Sequence, residues 1–183
     1  MKLTKYDQDR RVLIDFIDSL NQLRRSDDRG ALAMLRRGLK HQPGTEWGSY
    51  EYVMPYAHGF PLDQHEFFFV VAALYGLYPS KNWRAELGSK ASTNFGASFA
   101  QLQRASPSGK SVAKRFVNLL RAKWDTLPVH LRHAVRLMKT KGIPIDWVDL
   151  LYSLIFWDNR HRSVQRDWST AFWSPASENK QDS

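Results

Sequence analysis

Cysteine is absent from the 183 residues. That excludes disulfides and thiolate metal sites together, and it agrees with a reducing cytoplasm. Long apolar runs are missing too. The longest, Phe67 to Leu77, is broken only by Gly76 and is too short to span a bilayer. The opening MKLTKYDQDRR turns charged where a secretory signal would turn apolar. A soluble, cytoplasmic protein without a membrane partner is expected. No segment sustains the period-two alternation of a half-buried strand, so a sheet is not expected.

The common catalytic patterns are also missing. There is no GxxxxGK[ST], no GxGxxG and no GxSxG. Ser108-Gly109-Lys110-Ser111 matches only the tail of a phosphate loop, lacking the upstream glycine and the preceding strand. His58, Asp63, His65 and Glu66 lie together in HGFPLDQHE, but the HExxH spacing that sets two ligands on one helical turn is not there. No convergent set of acid, base and nucleophile can be assembled, and an enzyme is not expected. Nor is a cofactor, a metal or a small-molecule substrate.

Acid is scarce in one region. Between Glu86 and Asp146 the only carboxylate is Asp125, against eleven Lys and Arg. Residues 1–92 hold 13 cations and 11 acids, whereas residues 93–183 hold 14 and 7, so most of the net +9 sits in the second half. Such a segment attracts polyanions. Apolar content of 43% and aromatic content of 13% are those of a folded chain.

What remains is helical periodicity. Val12, Leu13, Phe16, Ile17, Leu20 and Leu23 predict a helix over about 9–23. Ser26-Asp27-Asp28 offers a cap for a second, to about His41, with Leu32, Leu35 and Leu39 inward. Trp47, Tyr50, Val53, Met54 and Tyr56 predict an aromatic helical stretch that Pro55 kinks or stops. Residues 62–78 are evenly apolar at their centre and read as a buried helix. Residues 79–92 lack periodicity and read as a domain joint. Short helices follow, around Phe95 to Leu102 and Ser111 to Lys123.

Leu131, Val135 and Met138 then share one helix face that Gly142 and Pro144 terminate, with Asp146 capping the next helix. A last helix spans about Ser163 to Trp173. The expected fold is all-α, with eight or nine helices in two small bundles. Residues 1–92 would form an N-terminal bundle, 93–175 a basic C-terminal one, and 176–183 a disordered tail.

Several helices pair an apolar face with a cationic row. Arg29, Arg36 and Lys40, with Arg37 beside them, flank the second helix. Lys110, Lys114 and Arg121 lie opposite the core face of another; Arg132, Arg136 and Lys139 follow helical spacing on the helix that ends at Gly142, and Arg162 and Arg166 lie on the last. Rows of this kind suit a phosphate backbone without reading bases. Trp47, Trp147 and Trp168 are expected inside. Trp173, beside Arg162 and Arg166, is the exposed aromatic expected to be able to stack on a base.

Five blocks taken together resemble the CasB family, the small subunit of the type I-E CRISPR effector complex, Cascade. They are RGALAMLRRGL (29–39), NFGASFAQL (94–102), RFVNLL (115–120), LPVHLRHAVRLMKTKGIPIDW (127–147) and WDNRHRSVQRDWSTAFW (157–173). The resemblance runs in matching order through all but the first ten residues and the tail after Trp173. It implies a non-catalytic, all-helical subunit that holds the displaced non-target strand and so stabilises an R-loop. Its implied partners are the backbone subunit CasC, the large subunit CasA, a second copy of itself, guide RNA and target DNA. Arg29, Arg36 and Arg37 match the family's first basic motif, and Arg132, Arg136 and Arg166 its later ones. The remaining cations rest on spacing alone. Two rivals stay open: a helix-turn-helix regulator around Gly142 to Pro144, and a protein-only scaffold with a basic surface.

Overall fold

A computed structural model describes residues 5–80 and 93–174. Nine α-helices and no strand occur among the described residues, as the periodicity predicts. In the first half these are α1 (Lys5–Arg25), α2 (Arg29–Arg37), α3 (Tyr50–Ala57) and α4 (His65–Leu77). The Asp28 carboxylate caps α2 by accepting from the Ala31 amide at 2.9 Å. Past Arg37 the chain tightens into a 3₁₀ turn over Gly38–Lys40, so α2 is shorter than its sequence suggests. Pro55 sits in α3, which ends two residues later. In α4 every residue from Phe68 to Leu77 is buried. Its Gly76 allows a close approach to α2, since a Cβ there would come within 2.7 Å of the Leu32 carbonyl oxygen.

The second half contains α5 (Phe95–Arg104), α6 (Gly109–Arg121), α7 (Leu127–Lys141), α8 (Trp147–Ile155) and α9 (Ser163–Trp173). Gly142 ends α7 in the left-handed conformation, φ 66° and ψ 25°. Ile143 N–H then returns to the Met138 carbonyl at 2.9 Å, closing the helix C-terminus. Asp146 caps α8 as expected, accepting from the Asp149 amide at 2.9 Å. An aromatic core holds α5, α6 and α9 together: Phe116 stacks on Phe172 at 4.2 Å, and Phe95 meets Trp168 at 5.2 Å. Gly96 of α5 lies directly on the Trp168 backbone of α9, with no room for a Cβ.

The described halves share one buried core. α8 packs on α1 and α4, and α7 packs on α4. Tyr75 and Trp147 meet edge-on at 5.4 Å across this seam, and Phe67 and Trp124 at 4.5 Å. Trp124 Nε1–H also donates to Glu66 at 2.7 Å. The joint expected at 79–92 and the tail at 176–183 lie almost wholly outside the described residues.

Asp146 is 6% exposed, and Asp149 one turn on is half-buried. Burial, reinforced by the neighbouring Asp146 charge, pushes the Asp149 carboxyl up to about 7, against weaker opposition from Ser153 and Arg10. Burial raises Asp146 as well, opposed chiefly by the backbone amides it caps. A folded-state pKa above the unfolded value means that the folded state holds the proton more tightly. Stability is then fully present below about pH 4 and is lost as pH rises towards 7.

Two outcomes follow from the packing and the buried acids. The change Gly96→Ala should cost about 3 kcal/mol in urea unfolding by forcing α5 off α9. The change Gly59→Ala, where no atom lies within 4 Å, should stay within about 0.5 kcal/mol. The unfolding free energy of the parent should fall by about 1–3 kcal/mol between pH 5 and pH 8, and Asp149→Asn should flatten that slope. An unchanged slope in Asp149→Asn would show that the buried carboxyl is not its source.

Candidate nucleic-acid interface

The cationic row on α2 begins with an ion pair. Arg29 lies 3.0 Å from the Asp27 carboxylate, which the left-handed backbone of Asp27, φ 53°, turns towards it. The hydrogen bond to Asp27, and then the Asp27 charge, hold the Arg29 guanidinium more firmly protonated. Its charge is thus partly answered within the chain. Arg36, Arg37 and Lys40 are exposed and make no ion pair with a described residue. Because the helix narrows to a 3₁₀ turn at Gly38, Lys40 stands off the ideal helical row.

The row on α7 is divided. Arg132 is half-buried, and its Nη1 donates to the Leu39 carbonyl at 3.0 Å, while its Nε is buried without a partner. Lys139 Nζ donates to the Leu77 carbonyl at 2.9 Å, at the C-terminal end of α4 where a cation is favoured. Arg136 between them is exposed and unpaired among the described residues. Two of the three cations expected to face a ligand therefore fasten α7 to the first half. Helical spacing places them on one face, but it cannot show that carbonyls at the ends of other elements meet that face.

That fastening brings one member of each row together. Lys40 and Arg132 line one cavity of about 410 Å³ with Leu35, Leu39, Phe69 and Val129. Arg36 and Arg37 are exposed on the preceding α2, and Arg136 is exposed on α7 one turn beyond Arg132; none of the three lines the cavity.

A second convergence involves α6 and α9. Lys110, Lys114 and Arg121 are exposed, opposite the buried Val112, Phe116 and Leu119. Arg162, in the left-handed region at φ 50°, sends Nη2 back to the Leu120 carbonyl at 2.6 Å, beside Arg121. Arg166 is exposed one turn along α9. Trp173 is 59% exposed, two turns beyond Arg166, with its ring edge-on to Phe172 at 4.5 Å. Arg104, Arg115 and Lys123 are further exposed cations that a search by helical row passes over.

One expectation is corrected. Trp147 and Trp168 are buried, but Trp47 is 77% exposed. It belongs to a 3₁₀ turn, Trp47–Ser49, that precedes α3, so helical spacing to Tyr50 does not set its direction. Gly48 is the available sign of a turn. The histidine-rich stretch is used locally: His65 Nε2 meets the Phe60 carbonyl at 2.9 Å, His58 Nδ1 the Met54 carbonyl at 3.1 Å, and Glu66 accepts from Trp124.

Residues 31–173 match the family model described as CRISPR-associated protein Cse2. A CRISPR-associated protein Cse2 from Thermus thermophilus is 31% identical over 145 residues, covering 78% of each chain. The crystal structure of CasB from Thermus thermophilus superposes with a TM-score of 0.71 at 29% identity, over 88% of this chain and 97% of that one. CasB from M. ruber gives 0.66 at 28% identity, over 79% and 83%. A chain of a CRISPR RNA-guided surveillance complex shares the fold, with a TM-score of 0.71 at 24% identity over 90% and 92%. Sequence, order of elements and fold thus agree, and this chain belongs to the CRISPR-associated Cse2 (CasB) family.

Proposed function

We propose that this chain is the non-catalytic small subunit of a Cascade-type surveillance complex in the cytoplasm, where it holds the displaced DNA strand and stabilises the R-loop. The observation that carries the reading is the group of exposed cations Arg36, Arg37, Lys40 and Arg136, unpaired among the described residues and carried on α2, on the 3₁₀ turn that follows it and on α7, which Arg132 fastens to that turn at Leu39. Unpaired cations on a rigid frame release counterions when phosphate arrives, whatever the base sequence. Arg121, Arg162 and Arg166, with Lys110 and Lys114 on the same helix as Arg121, form a second contact zone.

The heteroduplex formed in an R-loop is about as stable as the duplex it replaces, so modest backbone contacts decide the balance. The partners in this reading are the CasC and CasA subunits, a second copy, guide RNA and target DNA. A helix-turn-helix regulator is disfavoured because α8, which would serve as its recognition helix, buries Trp147, Leu150, Leu151 and Leu154.

Fluorescence anisotropy with labelled single-stranded DNA tests the reading. Affinity should fall steeply with salt. Changing Arg36, Arg37 and Arg136 together to Glu should weaken binding at low salt by at least about tenfold and lower the log–log salt slope by about 2. The triple variant should melt like the parent. Arg132→Ala, by contrast, should cost about 1–3 kcal/mol of stability by releasing a buried charge-assisted contact. Absence of affinity for bare strands at low salt would favour the protein-only scaffold.

A further inference from the structure

An exposed tryptophan is unremarkable when it is loose and single. Trp47 is held. Its ring lies nearly parallel to Tyr50, with centroids 5.1 Å apart and planes at 28°. Tyr50 is itself fixed twice, through its hydroxyl donating to the Gly44 carbonyl at 2.8 Å and through its ring against Phe69 of the buried α4 at 4.8 Å. The next residue, Gly48, presses on Met34 of α2 so closely that a Cβ would collide with the sulfur. The Ser49 hydroxyl closes the turn on the Glu46 carbonyl at 2.6 Å. One face of the indole is thus backed by a stack rooted in the core, and the other, at 77% exposure, is open.

Its surroundings suggest what the open face takes. Met34, against which the turn rests, lies one helical turn from Arg37, so the platform adjoins the cationic end of α2. The acids nearest in sequence, Glu46 and Glu51, discourage a phosphate directly over the ring. The chemistry left is that of an uncharged flat surface beside, not under, a phosphate track. A base of a single strand whose backbone follows Arg37 and Arg36 has that shape, and stacking on an aromatic side chain is open to every base.

We propose that Trp47 is a stacking platform for one base of a single-stranded nucleic acid, adding a salt-independent contribution to the electrostatic one. The inference rests on the strand-binding reading above. A base paired within a duplex keeps its faces covered and cannot use the platform.

The same anisotropy titration, with labelled oligothymidylate and with a duplex of equal length, separates the two readings. Trp47→Ala should weaken single-strand binding by about tenfold at every salt concentration, leave the salt slope unchanged and leave duplex binding unaffected. Trp47→Phe should recover most of the loss. Because the side chain is exposed, the far-ultraviolet dichroism and melting temperature should match the parent. Single-strand affinity within about twofold of the parent would overturn the platform, as would an equal loss on duplex or an altered slope. If the Arg36, Arg37 and Arg136 variant still loses binding in that case, the platform falls alone. A parent that binds neither oligonucleotide removes both.

Discussion

A helix without a polar face must be surrounded, and α4 is such a helix. From Phe68 to Leu77 it offers no residue that can be left in water, and burying side chains of this size contributes roughly 1.5–3 kcal/mol each. α2 comes in over Gly76, α3 lies alongside, and α7 and α8 close the remainder. The division of the chain into halves is bridged here, because the second half supplies what the first lacks to cover its own central helix. The helix end imposes a further demand. Carbonyls in the last turn lack intrahelical partners, and at Leu77 the deficit is met by Lys139, a side chain of the other half.

This sets the number of cations free to act. A phosphate ligand and an orphan carbonyl ask for the same donors, and of the three cations in the α7 row, Arg132, Arg136 and Lys139, the fold takes two. Arg132, half-buried, and Lys139, exposed, both bond carbonyls of the first half, while Arg136 is exposed and unpaired among the described residues. The arrangement is coherent with capture of a flexible strand, in which the charges need a fixed spacing but no base-reading geometry. Arg162 repeats the pattern on a smaller scale, its guanidinium bonded to Leu120 while Arg166 is left exposed.

The helices and their stops were legible because each has a local cause. Gly142 supplies the left-handed residue, Asp28 and Asp146 accept from the amides they cap, and the apolar positions of α1 and α7 repeat with the helical period. Three features were not legible. The direction of Trp47 depends on a 3₁₀ turn set by Gly48 against Met34, a contact between segments. The roles of Arg132 and Lys139 depend on carbonyls 93 and 62 residues away in the chain. The displaced acidity of Asp149 depends on burial between α8 and its neighbours, whereas sequence shows only an acid near a helix N-terminus. All three are tertiary, and periodicity carries no information about which side chain another element will meet.

The charge balance adds a constraint that the count alone conceals. The chain holds 27 Lys and Arg and 18 Asp and Glu, yet the two ion pairs formed between described residues both fall on Asp27. Of the two acids at the end of the acid-poor stretch, Asp146 is buried and Asp149 half-buried, with its carboxyl pushed up to about 7. The exposed face of the second half is therefore more cationic than its sequence, and its positive groups repel one another. Surface pairs would stabilise little in any case, so the fold relies on its shared apolar core. Leaving the surface cations unneutralised costs some stability in the isolated chain, and a polyanion bound as proposed would remove that cost. Under that proposal binding and folding favour the same state, since a ligand that engages only the folded surface stabilises it by mass action.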